Sequence, residues 1–357
     1  MSSDLVLILK NFNIFGSCEK IEINTTGHIN TTFICSFLFK GIISKYTLQK
    51  INSYVFKKPF EVMENIEKVT SHIQEKVKNY EDASRRCLRI ISTVDEKPCY
   101  LDSEGQYWRV FAFIEHVCTY NFIQNRNQAW LFGQAVGSFH LLLDDFPAEV
   151  LHDTISNFHN MNKRYGQLEE ACKVNYENRV MQVEPELKFL MKNQKRGCVI
   201  WDCFMDGSLK TRVTHNDTKI NNVLFNAKGN EALCMIDFDT IMKGSCLFDV
   251  GDMLRTGAAT SDENEVDLEK VNCDVYSFRA IIDGYLNKMN SKLSIKEKSL
   301  LVESGRTMTL IMAVRFLSDY LIGDKYYRIE REKQNLERAK NQIKLIKSFD
   351  EFWDKLI

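Results

Sequence analysis

Proline is scarce in this chain, with 4 among 357 residues, and glycine is modest at 16. That excludes collagen-like and Pro/Gly-rich low-complexity readings. Long apolar runs are missing too: none approaches the roughly 18 residues that a spanning helix needs. The best stretch, Thr307–Leu317, is interrupted by Arg315. Neither sign of charge dominates, since 47 Lys+Arg meet 48 Asp+Glu for a net of −1. Such a balance gives no global pull toward nucleic acid or anionic membrane. The 11 cysteines contain no C-x-x-C pair, so neither a zinc knuckle nor a dithiol redox site is expected. Most sit beside apolar neighbours, as in Leu233-Cys234-Met235, and read as small buried thiols of a cytoplasmic chain. The run Leu5–Leu9 has no basic residue before it and no small-residue cleavage site after it. It is expected to join the fold and not to act as a signal peptide.

What is present is a globular composition, 44% hydrophobic and 27% charged. At roughly 150 residues per domain the length suits about two domains. The first 115 residues read as mainly β. Lys20–Asn24, Thr31–Phe39 and Ser44–Ile51 are rich in β-branched and aromatic residues, with Thr26-Gly27 and Lys40-Gly41 as punctuation. Pro59 opens a helix in which Met63, Ile66, Val69, Ile73 and Val77 recur at three and four residues. Strand-like runs return at 88–94 and 107–114. From about residue 125 the pattern turns helical, first at 129–143, then near 177–194, 272–290, 296–322 and 329–355. A β island at 211–241 interrupts it. The expected order is a β-rich lobe over 1–115 and a larger helical lobe over 116–357.

The island carries the chemistry. It reads Thr214-His215-Asn216-Asp217-Thr218-Lys219-Ile220-Asn221-Asn222, and after a turn at Lys228-Gly229-Asn230 it ends in Ile236-Asp237-Phe238-Asp239. The apolar runs Val223–Phe225 and Leu233–Ile236 should pair as a hairpin. Pairing would bring Asn222, at one strand's entrance, near Asp237, at the other's exit, with Asp217 on the loop leading in. Phosphoryl transfer needs a carboxylate to orient a hydroxyl and accept its proton, and oxygen ligands for Mg²⁺. Asp217 is the candidate base, with Asn222 and Asp237 as candidate metal ligands. The spacing H-x-D-x-x-x-x-N followed by a second Asp is that of a kinase catalytic loop and metal site. A protein kinase is not indicated. Thr25–Asn30 stands where a glycine-rich loop would be, Asp237 is followed by Phe-Asp and not Phe-Gly, and no A-P-E follows.

The chain resembles the aminoglycoside phosphotransferase-like kinases, and among them is similar to the N-acetylhexosamine 1-kinases. The resemblance rests on Gly27–Asn30, Leu48–Asn52 with Val55-Phe56, Met63–Ile66, His215–Asn222, Ile236–Thr240, Asp249–Asp252, and Arg315–Leu317 with Asp319–Leu321. It implies an α+β, bilobal, protein-kinase-like fold with a small β-rich lobe and a large helical lobe. It also implies an ATP- and Mg²⁺-dependent kinase that phosphorylates the anomeric hydroxyl of GlcNAc or GalNAc. Neither nucleic acid nor membrane is an expected partner. Kinases of the same fold for homoserine, choline, an aminoglycoside or another sugar are the alternative, as is a nucleotide-binding pseudokinase.

Kinase architecture suggests further roles. Lys50 is the candidate phosphate-holding lysine if Leu48 and Lys50 share the working face; a one-residue slip reverses that face. Its candidate ion partner is Glu64, competing with Glu61 and Glu67. Phe113 to His116 is the candidate hinge, whose backbone would bind the adenine edge, with Phe113 and Glu115 as cofactor-binding candidates. By resemblance, His28 and Asn30 face sugar or phosphates. His215 would brace the loop, Asp249 or Asp252 would anchor it, and Asp239 would hold metal or serve the fold. Arg306 and Arg315 are nine residues apart on one predicted helix, about 2.5 turns, so they point opposite ways. Arg306 is the candidate sugar or phosphate contact.

Overall fold

The computed structural model describes residues 2–25 and 29–356. In chain order its elements are α1 (Ser2–Leu9), β1 (Ser17–Asn24), β2 (Thr31–Phe39), β3 (Ile42–Lys50), α2 (Pro59–Val77), β4 (Ile90–Ile91), β5 (Tyr100–Leu101), β6 (Tyr107–Ala112), β7 (Val117–Cys118), α3 (Arg126–Leu142), α4 (Met161–Val174) and α5 (Glu184–Met205). There follow β8 (Arg212–Thr214), β9 (Val223–Asn226), β10 (Ala232–Met235), β11 (Met242–Gly244), α6 (Cys246–Gly257), α7 (Val275–Met289), α8 (Ile295–Ser299), α9 (Leu301–Leu321), α10 (Gln334–Glu351) and α11 (Trp353–Leu356). Among the described residues no helix is long and apolar enough to cross a membrane. All 11 cysteines are free thiols.

Two compact units result. The first comprises Met1–Cys118, Asp145–Ile155 and Leu224–Lys243. Its sheet runs β1-β2-β3-β6-β4, with β5 also on β6. One face of that sheet is apolar: Phe33, Cys35, Phe37, Leu48, Trp108 and Val110 cluster with Leu5, Leu9 and Phe12. The Leu5–Leu9 run therefore forms a helix that covers the sheet. Each such side chain contributes roughly 1.5–3 kcal/mol on burial. Two later segments return to this unit, and one polar side chain on α2 ties them there. Asn65 is 1% exposed. It donates to the carbonyls of His152 and Ile241, both at 2.9 Å, and accepts from the His152 N–H at 2.9 Å. An asparagine whose donors and acceptor are all used is a stable occupant of a core. The hairpin of β9 and β10 also belongs here, with β9 pairing β7 on its other side.

The second unit comprises Thr119–Asp144, Ser156–Val223 and Gly244–Ile357. It is helical. Its helices α3 and α7 approach until their backbones touch through glycine. A Cβ on Gly133 would lie 2.0 Å from the Ile281 carbonyl oxygen, and one on Gly284 would lie 2.0 Å from that of Trp130. The helix α9 is buried along most of its length, as a helix apolar on nearly all sides should be. Two of its helices lie outside the predicted segments, α4 and α6. The α4 sequence MNKRYGQLEEACKV is too polar to show a strong stripe. The α6 sequence carries two aspartates and an arginine inside a buried helix. The run predicted near 177–194 resolves into a 3-10 segment over Tyr176–Gln182 and the start of α5.

Candidate active site

The loop Thr214–Asn222 lies within the second unit, and Asp249 of α6 holds it. Asp249 is fully buried. Its carboxylate accepts from the backbone N–H of His215 and of Asn216, both at 2.7 Å, and faces His140 Nε2 at 2.8 Å. The other imidazole nitrogen, His140 Nδ1, meets the Tyr285 hydroxyl at 2.9 Å. The Thr218 hydroxyl donates to the Asp249 carbonyl at 2.6 Å. Burial opposes the charge on Asp249, but the hydrogen bond and charge of His140, helped by His215, hold it below the ordinary carboxylate range. Asp252 is instead paired with Arg255 at 2.8 Å. His215 braces the loop: its Nδ1 accepts the Asp217 N–H at 3.3 Å. Asn216 takes a left-handed backbone, φ 65°, which Asn tolerates better than most residues.

This frame presents Asp217 with a side chain 29% exposed. Lys219 Nζ sits 2.9 Å from its carboxylate. The Asn222 amide donates to the Asp217 carbonyl at 2.9 Å and to its carboxylate at 3.0 Å. Burial by itself would raise the Asp217 pKa; the charge and hydrogen bond of Lys219, with His215 and Asn222, lower it overall. Asp217 is thus a carboxylate at neutral pH. With its nitrogen spent on Asp217, Asn222 has an oxygen that accepts from no described group.

In the first unit Asp237 lies exposed just after β10, again left-handed at φ 65°. A non-glycine residue held there is a strain of the kind found at functional turns. Two residues on, Asp239 is 4% exposed. It binds the guanidinium of Arg109 and accepts from Asn30 Nδ2 at 2.6 Å. Asn30 Oδ1 in turn accepts the Asn52 N–H at 2.9 Å. Asn30 and Asp239 therefore spend their polar groups on the unit itself. His28 lies outside the described residues.

The Lys50–Glu64 pair does not form. Leu48 lies in the apolar cluster with Trp108 and Val110, on the face that α1 covers. In the β3–β6 register Lys50 stands opposite Trp108, and Gln49 opposite Arg109. Alternation puts Lys50 on the covered face, where its charge helps to lower the pKa of Asp102. The opposite face carries Gln49 and Arg109, the latter 2% exposed, with Arg109 Nε donating to Gln49 at 2.9 Å. Glu64 meets His152 Nε2 at 2.5 Å. The buried cation of this face is therefore an arginine supplied by β6. An arginine between Trp108 and Val110 in an otherwise apolar strand was its sequence signal.

The segment 113–116 follows β6. The Phe113 N–H is taken by the Lys45 carbonyl at 3.1 Å. Glu115 pairs with Lys45 at 3.0 Å, and the Lys45 ammonium stands over the Phe113 ring. Among the described residues the N–H groups of Ile114 and Glu115 take no partner.

A cavity of about 690 Å³ opens in the second unit beside α4 and α9, lined among others by Arg164, Gln167, Arg315, Asp319, Tyr326 and Tyr327. Arg306 does not line it. That side chain is 2% exposed and bound to Asp350 at 2.7 Å and Asn193 at 2.6 Å. Of the two arginines on α9, Arg315 is the one at the cavity.

Comparison with known proteins agrees with this architecture. Residues 97–273 match the model of the phosphotransferase enzyme family. The crystal structure of an aminoglycoside phosphotransferase from Alicyclobacillus acidocaldarius superposes with a TM-score of 0.64 at 10% identity, over 98% of this chain and 96% of that one. The fold is that of the aminoglycoside phosphotransferase-like kinases. A spectinomycin phosphotransferase solved with ADP and spectinomycin is similar at a TM-score of 0.56 and 13% identity, covering 96% of each chain. A choline kinase from Cryptosporidium parvum is similar at 0.55 and 14%, over 99% of this chain and 97% of that one.

Proposed function

We propose that this protein is a kinase that moves the terminal phosphate of ATP to the anomeric hydroxyl of a small sugar of the N-acetylhexosamine type. The observation that carries the reading is Asp217: a partly exposed carboxylate, kept ionised by Lys219 and fixed through a loop anchored on Asp249. Its role is to orient the acceptor hydroxyl and take its proton. The hydroxyl oxygen bonds to the terminal phosphorus, the bond from phosphorus to the ADP oxygen breaks, and the proton passes to Asp217. A hemiacetal hydroxyl is more acidic than an ordinary alcohol, so a carboxylate suffices as base. The rest of the rate comes from positioning and charge stabilisation.

Asn222 and Asp237 are the residues assigned to Mg²⁺. The uncommitted Asn222 oxygen and the exposed Asp237 carboxylate suit a hard cation that takes oxygen ligands. Among the described residues no group of three or more His, Cys, Asp or Glu side chains could hold a metal by itself. That is compatible with Mg²⁺, which keeps waters and phosphate oxygens and needs only one or two protein ligands. When bound, it would neutralise charge on the transferring phosphate. The open N–H groups of Ile114 and Glu115 are the ones offered to the adenine edge, with the Phe113 ring beside them. The similar spectinomycin phosphotransferase holds ADP, which supports nucleotide use here. The test is ADP release with a panel of acceptors: GlcNAc, GalNAc, other hexoses, choline, homoserine and an aminoglycoside. Turnover confined to the sugars supports the reading. Turnover of a non-sugar alcohol alone refutes the acceptor, and ATP binding without transfer to any of them refutes the kinase.

A further inference from the structure

Many arginines of the second unit are paired with carboxylates. Arg179 pairs with Asp324, Arg196 with Glu303 and Asp350, Arg212 with Asp144 and Glu297, Arg255 with Asp252 and Glu263, and Arg306 with Asp350. Arg164 and Arg315 are different. Among the described residues neither has a carboxylate within ion-pair distance. Both line the same cavity. Arg315 is held by aromatic faces, at 5.4 Å from the Phe158 and Tyr327 ring centres and 5.8 Å from that of Tyr326. Beyond these, among the described residues, its guanidinium meets only the Met312 sulfur, at 3.6 Å. Arg164 donates to the Phe158 carbonyl at 2.7 Å and to Gln167 at 2.9 Å. Its Nε is buried without a partner, as is the Tyr327 hydroxyl.

The carboxylates of the lining do not neutralise them: Glu169 and Glu170 are exposed and lie within ion-pair distance of neither arginine, Glu170 pairing with Lys173 at 2.7 Å. Asp319 is spent on the N–H groups of Lys325, Tyr326 and Tyr327, at 2.8 to 3.0 Å, and on Asn335 at 3.0 Å. Two guanidiniums share one space, and the cost is visible: burial and the charge of Arg315 push Arg164 down to about 10. The same positive charge reaches His159, buried beside Asn216, the neighbour of Asp217 in the chain. Burial and Arg315 push that imidazole down to about 3, so it stays neutral.

Two uncompensated guanidiniums in one cavity lack an anion. We infer that the acceptor carries an anionic group, a carboxylate or phosphate, which Arg164 and Arg315 grip while its hydroxyl meets Asp217. The Tyr327 hydroxyl supplies a third donor. Guanidinium is the side chain suited to such groups, because its planar fork matches their paired oxygens. Cationic acceptors such as choline or an aminoglycoside would meet two like charges there. This inference rests on the assignment of Asp217 as base and narrows the sugar to an acidic one.

The experiment compares matched acceptors: glucose with glucuronic acid, and GlcNAc with GlcNAc 6-phosphate. ADP release gives kcat/KM for each, and calorimetry gives their binding to D217N, which needs no turnover. At least one anionic member should exceed its neutral partner by about tenfold or more, as charge-assisted hydrogen bonds allow. R315Q and R164Q should bring that ratio toward one, and R315K should restore only part of it. The KM of the anionic acceptor should rise with salt. The uronate and phosphate arms tell the two anions apart. If D217N binds an anionic sugar through Arg315 but the wild type turns over no acceptor, the anion site stands and the kinase assignment falls. Neutral members equal to or better than both anionic ones overturn the inference and leave the kinase assignment intact. Absence of binding by every anionic member overturns it as well.

Discussion

The anchored loop of the second unit and the sheet of the first are held by the same device, a buried aspartate gathering donors, yet they differ in what does the gathering. Asp249 collects backbone N–H groups from His215 and Asn216. Asp239 collects side chains, Arg109 from β6 and Asn30 from the turn before β2. The first arrangement fixes the path of a loop and leaves Asp217 exposed for chemistry. The second fixes which face of a sheet is charged and ties each Asp239 oxygen to a side chain of the same unit. An acidic residue near a kinase-like motif is therefore not a ligand by position alone; what its oxygens already accept decides.

The largest effect expected is on chemistry. Replacing Asp217→Asn removes the proton acceptor and keeps the shape and most hydrogen bonds of the loop. Turnover by ADP release should fall about 10²- to 10⁴-fold, the range general bases supply, with unfolding in urea hardly changed. Unaltered turnover would reassign the base.

Next come the two buried aspartate networks, read as stability. Arg109→Met strands the carboxylate of Asp239 in the core, which should cost about 3–5 kcal/mol by urea unfolding. Lys50→Met, one strand position from Gln49 but on the other face, should stay within about 0.5 kcal/mol, as a substitution away from any buried network does. Equal losses would mean that Lys50 is the structural cation after all. Asp249→Ala uncovers two buried N–H groups at about 1–3 kcal/mol each. Unlike Arg109→Met, it should lower kcat out of proportion to stability, because the loop it holds carries Asp217.

Much of this was legible in the sequence, for reasons that differ by region. His215, Asp217 and Asn222 lie within eight residues, so their mutual geometry is local and the spacing reports it. The order of a β-rich lobe and a helical one was also legible, since strands at Thr31–Phe39 and a helix from Pro59 have strong periods. The face of Lys50 was not. It depends on the register of β3 against β6, set by Leu48, Trp108 and Val110 packing under α1. Arg306 was misleading for a related reason: helix geometry separates it from Arg315 but cannot tell which side holds a cavity. That side is set partly by α4, whose polar sequence gave no stripe. Asn65 shows the limit most plainly, because its partners His152 and Ile241 are far along the chain.

The smallest effect sharpens the contrast most finely, because it changes a pKa and not a fold. Lys219 is the chief influence holding Asp217 below the ordinary carboxylate range against burial. A base is active only while unprotonated, so turnover is lost as pH falls through its pKa. With that pKa depressed, the acid limb of kcat in the wild type should lie below the normal carboxylate range. Lys219→Met removes the attraction and leaves burial, which favours the neutral acid, so the limb should move to higher pH while the rate near neutrality changes far less than in Asp217→Asn. Gln49→Leu, a neutral change beside Arg109 in the first unit, should leave the limb where it is. A limb that moves equally in both variants would mean that the titrating group is not Asp217, and a limb that stays put in Lys219→Met would mean the same, because loss of a nearby positive charge raises the pKa of any group it acts on.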